Sequence, residues 1–182
     1  EGEIEEDASE RIWSLLGQAV HTIIERASSQ VDSLTETTIF TECLGWKIKG
    51  TADNVSLTNA ELLDYKVTTV WKLVDKPVPQ EWVEQTNLYR YMLWKEKGLV
   101  INAIAVIAIL RDWSQAKADS GGNYPPVQVM RIEIPVWTTE EAEAFLEARV
   151  RLHQSESLDE CSDAEIWAKP STWAIMKKGK AD

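Results

Sequence analysis

The chain has 182 residues, 44% of them hydrophobic and 27% charged, with a formal net charge of −11. This is the composition of a globular domain with a proper core, not of a disordered segment. The longest apolar run, LVINAIAVIAIL, has 12 residues and holds Asn102, too short to span a membrane; the acidic balance argues against non-specific phosphate binding; and two cysteines, Cys43 and Cys161, cannot build a disulfide framework or a four-Cys iron–sulfur cluster.

So few cysteines fit a reduced, cytoplasmic setting. The N-terminus EGEIEEDASE is acidic where a secretory signal is basic, so no signal peptide is expected. The missing initiator Met leads us to expect a piece of a longer protein. The charge is uneven: residues 1–10 carry six acids and no base, whereas Gly45–Gly98 holds eight Lys or Arg against seven Asp or Glu.

Ile12, Leu15, Leu16, Ala19, Val20, Ile23 and Ile24 recur at helical spacing, which predicts an amphipathic helix from Ser9 to about Ala27. Next come β-branched runs cut by short turns, read as strands over Thr37–Leu44, Lys47–Ser56 and Glu61–Thr69. VDKPVPQ reads as a loop. A second helix is expected from about Pro79 to Lys97, stopped by Gly98. LVINAIAVIAIL lacks alternation, as a strand buried on both faces does. SGGNYPP reads as a loop, VQVMRIEIPV as an alternating strand, and EEAEAFLEARVRLHQ as a third helix capped by Thr138 or Thr139. The fold class expected is α/β: a mixed central β-sheet flanked by helices, with an αβββαβ core and the fourth strand parallel to the third. One domain is expected over residues 1–182, with its core at about 9–155. The tail at 156–182 reads as irregular, with one short helix near Ala164–Ala168.

The strand LLDYKVTT carries Asp64 and Lys66 on one face, since side chains alternate along a strand. Leu63, Tyr65 and Val67 are expected to form the core face. A turn at Thr58–Asn59, or a longer one at Leu57–Ala60, sets Asp53 opposite Asp64, with Cβ atoms about 5 Å apart. Two carboxylates that close repel unless a proton or cation lies between them, and they are spaced to hold a divalent metal. Lys66 beside them can stabilise a developing anion or hold an attacking water. Taken alone, an acid two residues before a lysine is more often a solvated pair. On the helices, His21 and Glu25 share one face, as do Gln85 and Tyr89. Gly17 inside the first helix costs about 1 kcal/mol relative to Ala, which suggests close approach to that backbone. Trp71 and Lys72 follow the third strand. Trp71 is read first as a hydrophobic anchor and second as a base-stacking residue.

GQAVH (Gly17–His21), GTAD (Gly50–Asp53), DYK (Asp64–Lys66) and QTNLY (Gln85–Tyr89) stand in order on these elements. Over about residues 9–110 the chain thus resembles the PD-(D/E)XK nuclease superfamily, in its RecB-like branch, which includes phage λ-type exonucleases. The resemblance implies that His21, Asp53 and Asp64 are metal ligands, with the carbonyl of Tyr65 as a fourth. Lys66 then orients or activates water, and Glu25 serves a second metal or the water. Gln85 and Tyr89 support the site and contact the DNA backbone, and Trp71 and Lys72 fall on the DNA side. The implied cofactor is Mg²⁺ or Mn²⁺, one or two ions, and the reaction is phosphodiester hydrolysis. Relatives that carry an iron–sulfur cluster need four cysteines, so no cluster is expected, and Cys43 reads as a core residue. Implied partners are DNA ends, single- or double-stranded, together with a homo-oligomer or a recombination partner, in the cytoplasm of a bacterial or phage-infected cell. The leading reading is a metal-dependent DNA exonuclease in recombination, repair or phage DNA processing. The alternative is a catalytically silent DNA-end or protein-interaction module on the same fold, which the acidic charge favours.

Overall fold

In the computed structural model, residues 8–27, 32–75 and 78–155 are described. The expected tail helix and Cys161 lie outside the described residues. The elements run α1 (Ala8–Ala27), β1 (Ser33–Cys43), β2 (Trp46–Ser56), β3 (Glu61–Thr68), α2 (Val70–Asp75), α3 (Gln80–Lys97), β4 (Ala103–Leu110), α4 (Gln115–Asp119), β5 (Val129–Glu133) and α5 (Thr139–Gln154). The strands form one sheet in sequence order, β1 to β5. Neighbours are antiparallel except β3 and β4, which are parallel over their whole length. This is the expected mixed sheet flanked by helices: α1 packs on β2 and β3, α3 spans β1 to β4, and α5 covers α3.

Local chemistry explains where the long helices start and stop. Gly98 ends α3 in the left-handed region at φ 66°, with its N–H on Trp94 O at 2.9 Å, while Leu99 N–H reaches Leu93 O at 3.3 Å. A side chain there would meet its own backbone, so glycine suits the position. Thr138 begins α5 with a reciprocal capping box: its side chain accepts from Glu141 N, and Glu141 accepts from Thr138 N at 2.7 Å. Helix α3 is enclosed between the sheet and α5, so it buries Trp82, Val83, Tyr91 and Leu93 together with polar Thr86 and Asn87. Asn87 offsets its burial cost by donating to Pro135 O at 2.9 Å and accepting from Trp137 N at 2.8 Å, which ties the link after β5 to α3.

The structure corrects several expectations. Strand β1 begins at Ser33, earlier than expected, and bends at Glu36, which takes a φ of 44°. Strand β5 is only Val129–Glu133, bounded by Pro125, Pro126 and Pro135, residues without an N–H for the ladder. Two short helices, α2 and α4, fall mostly in stretches where no element was expected, with only Val74 and Asp75 of α2 inside an expected loop; neither is long enough to show a period. The core face of β3 is the other one. Leu62 is fully buried in the core and Asp64 is 1% exposed, whereas Leu63, Tyr65 and Val67 are half-buried. Helix α1 is present as expected, but Ile12, Leu15, Leu16 and Ile23 of its apolar stripe are exposed. Nothing lies within 4 Å of a Cβ built on Gly17, so the close approach expected there is not found. Cys43 is a core residue as expected, and burial pushes its thiol pKa up, with Glu147 adding to the shift. Among the described residues no helix is long and apolar enough to cross a membrane.

Candidate active site

The site is set by a parting of strands. The turn after β2 spans Leu57–Ala60, and the β2–β3 ladder pairs Ser56 with Glu61, Val55 with Leu62 and Asn54 with Leu63. This is the register expected from the sequence. Beyond Asn54 and Leu63, β2 continues with β1 to Trp46, while β3 continues with β4 to Thr68. The two strands therefore fork, and Asp53 and Asp64 are the first residues on either arm.

Asp53 holds the fork by its side chain. Tyr65 N–H donates to Asp53 Oδ2 at 2.8 Å, where a continuing ladder would have offered a carbonyl. A hydrogen bond to a charged acceptor contributes about 1.5–3 kcal/mol. On the other arm, Asp64 is buried, and Lys66 Nζ lies 3.0 Å from its Oδ2 and 3.3 Å from its Oδ1. The Lys66 side chain keeps 26% of its surface in water. The ammonium thus bridges a buried carboxylate and solvent, which offsets the cost of burying that charge.

Hard oxygen donors on two facing arms suit Mg²⁺ or Mn²⁺. Two carboxylates are fewer donors than such an ion takes, and among the described residues no group of three or more His, Cys, Asp and Glu is assembled. His21 and Glu25 stand on α1, the helix that packs on β2 and β3, but their side chains lie outside the described residues. Carboxylate oxygens are donors that a divalent cation prefers, and such an ion would need ligands beyond Asp53 and Asp64.

Gln85 and Tyr89 act together: Gln85 Nε2 donates to Tyr89 Oη at 2.7 Å. The Tyr89 ring rests on Gly50, so the glycine of GTAD seats the tyrosine of QTNLY. Both residues line a cavity of about 330 Å³ between β2, α3 and α5, with Ile48, Met92 and Arg149. Trp71, on α2, is 57% exposed. Lys72 is ion-paired to Glu81 and lies 5.8 Å from the Trp82 ring centroid, so α3 holds it. Sequence reasoning missed Asp112, whose Oδ1 accepts Val70 N–H at 2.7 Å and anchors the start of α2. An Asp just after a buried strand was the available signal, and it reads equally as a turn residue.

No protein-family model and no curated protein matches the chain. Among solved structures, SSO0001 is similar at 18% identity and a TM-score of 0.49, over 79% of this chain and 61% of that one. A candidate exonuclease from Eubacterium rectale is similar at 14% identity and a TM-score of 0.46, over 90% of this chain and 62% of that one. The chain spans about three-fifths of the length of each. Neither likeness bears on activity.

Proposed function

We propose that the chain is a divalent-metal-dependent deoxyribonuclease acting on DNA ends. The observation that carries this reading is the fork: buried Asp64 paired with Lys66 at 3.0 Å on one arm, and Asp53 fastened to Tyr65 N–H on the other. The sequence motifs supply the remaining parts, with His21 and the Tyr65 carbonyl as further ligands and Glu25 toward a second ion or water.

A bound cation supplies Lewis acidity, lowering the pKa of a bound water and offsetting charge on the scissile phosphate. Asp53 and Asp64 would hold it, and Mn²⁺ would be the more acceptable where an imidazole joins the ligands. Lys66 is a donor only; its ammonium hydrogen-bonds the attacking oxygen or a phosphoryl oxygen and stabilises the charge that grows there. Asp64 keeps that ammonium aimed. The water oxygen forms the new P–O bond as the bridging P–O bond breaks; the water gives up a proton to solvent and the leaving oxygen gains one. Gln85 and Tyr89 brace β2 through Gly50 and face the DNA backbone, with Trp71 and Lys72 further out.

The test uses linear and circular DNA, single- and double-stranded, with Mg²⁺ or Mn²⁺. Linear DNA is degraded by the wild type and persists with Asp64→Ala and Lys66→Ala. Activity surviving in both variants overturns the assignment. The net charge of −11 favours a second reading, a catalytically silent DNA-end or protein-interaction scaffold. Inactivity on all four substrates selects it.

A further inference from the structure

The cavity between β2, α3 and α5 carries a chemistry that cleavage at the fork does not use. It holds about 330 Å³, within the range of pockets that take small molecules. Most of its wall is apolar: Ile48 from β2, Leu88 and Met92 from α3, Phe145 and Leu146 from α5. Trp137 packs against the Phe145 ring, with centroids 5.2 Å apart. Such walls suit a flat apolar body.

The polar edge is the Gln85–Tyr89 pair. Gln85 Nε2 donates to Tyr89 Oη at 2.7 Å, and among the described residues neither side chain has another partner. The Tyr89 hydroxyl proton and Gln85 Oε1 are therefore left for a ligand. Turning the amide over still leaves one donor beside one acceptor. A nucleobase matches both features: it is flat, and its Watson–Crick edge sets a donor beside an acceptor. Bases taken out of a stack are bound through these two features.

The charges that line the cavity narrow the ligand further. Arg149, four residues after Phe145, keeps its guanidinium 6.0 Å from that ring centroid and has no ion pair among the described residues. Of the two carboxylates, Glu81 is paired to Lys72, and Glu84 accepts Gln80 Nε2 at 3.2 Å. Lys49 is not counted, because alternation along β2 sends its side chain to the face opposite Gly50. One guanidinium and one free carboxylate do not draw in a long polyanion. They match the phosphate and a sugar hydroxyl of a single nucleotide. The cavity is also continuous with the fork, since Tyr89 rests on Gly50, three residues before Asp53.

We propose that this cavity is a nucleotide site, with the base against the apolar walls, its edge on Gln85 and Tyr89, and the phosphate on Arg149. That the nucleotide is the end of a DNA strand rests on the nuclease reading; nucleotide binding itself does not.

Calorimetric titration of the whole chain in EDTA tests it without cleavage. Thymidine 5′-monophosphate binds, while thymidine and 2-deoxyribose 5-phosphate each bind at least about tenfold more weakly. Arg149→Gln weakens the monophosphate about tenfold and leaves thymidine unchanged. Gln85→Leu weakens the monophosphate and leaves deoxyribose phosphate unchanged. Thermal melts confirm that both variants are folded. A short oligothymidylate that displaces the monophosphate identifies a strand end as the source, and one that does not identifies a free nucleotide. No binding of the monophosphate by the wild type overturns the site, and so does binding that both variants leave unchanged. Mn²⁺-dependent hydrolysis of bis(p-nitrophenyl) phosphate reads the fork separately. Nucleotide binding without hydrolysis keeps the site and removes the nuclease; hydrolysis without nucleotide binding does the reverse.

Discussion

The ring of Tyr89 rests on Gly50. A Cβ on residue 50 would lie 3.0 Å from both Tyr89 Cδ1 and Cε1, and 3.3 Å from Met92 Sδ. The half-buried ring is stiffer than the end of a lysine and would have to give by a few tenths of an ångström to admit that Cβ. The contact couples α3 to β2 three residues before Asp53, so it helps set where the fork opens. Gly50→Ala is expected to destabilise by about 1–3 kcal/mol through overpacking. Combining it with Tyr89→Ala should return part of that loss, because the two residues share one space. Urea unfolding of the four proteins checks this, and strictly additive losses would show that the contact does not couple them.

Asp53 is assigned two separable roles. Its carboxylate accepts Tyr65 N–H at 2.8 Å, and it is the proposed ligand on the β2 arm. Asn keeps an acceptor oxygen but loses the charge. Asp53→Asn should therefore stay within about 1 kcal/mol of wild type, while Asp53→Ala leaves the N–H unsatisfied and loses about 1–3 kcal/mol. Both should lose metal-dependent cleavage. Equal stability of the two variants would remove the structural half of the claim; cleavage by Asp53→Asn would remove the ligand half.

The Asp64–Lys66 pair predicts a metal effect on stability as well as on rate. Lys66→Ala leaves a buried carboxylate without its ammonium, at a cost of about 3 kcal/mol, and lowers cleavage about 10²–10³-fold. A divalent cation at the fork can replace the missing positive charge. Mn²⁺ should then raise the melting temperature of Lys66→Ala more than that of Asp64→Ala, which lacks a donor. Thermal melts in EDTA and in Mn²⁺ decide the matter: equal shifts in the two variants would mean that Asp64 holds no cation.

Much of this was legible in the sequence because it is local. The Leu57–Ala60 turn fixes the β2–β3 register whichever way it closes, and Gly98 and Thr138 mark their helix ends through backbone and side-chain chemistry that a sequence displays directly. The rest depends on packing. Periodicity cannot tell which face of β3 is covered, because Leu62 and Leu63 are equally apolar; the helices around the sheet decide it, and they bury Asp64 with Leu62. Helix α2 has 6 residues, too few for a period, and its start depends on Asp112, which comes 42 positions after Val70. Lys72 read as a residue on the DNA side because Glu81, its partner, lies across a loop on the next helix. Phe40 of β1, 46% exposed, stands in a run of β-branched residues that gave no sign of which side the helices would leave bare.

Two protons held in the core, on Cys43 and Tyr91, contribute to the pH dependence in alkali. Burial, then Glu147, raises the pKa of the Cys43 thiol. Burial, then the hydrogen bond to Glu143 at 2.7 Å, raises that of the Tyr91 phenol. In alkali the unfolded chain releases both protons while the folded chain still holds them, so the native state binds more protons and stability falls as pH rises. This stabilisation is complete below the pKa of an unfolded thiol, about 8.5, and is lost as pH climbs toward the folded values, with the phenol adding its share from about 10. Urea midpoints should therefore decline above about pH 8.5. Cys43→Ala leaves a small cavity and lowers the whole curve, so the slope is the readout: it should flatten at the thiol step. Tyr91→Phe removes the hydroxyl but keeps the ring, and it should flatten the upper part alone. A decline of unchanged slope in both variants would place the titrating groups elsewhere.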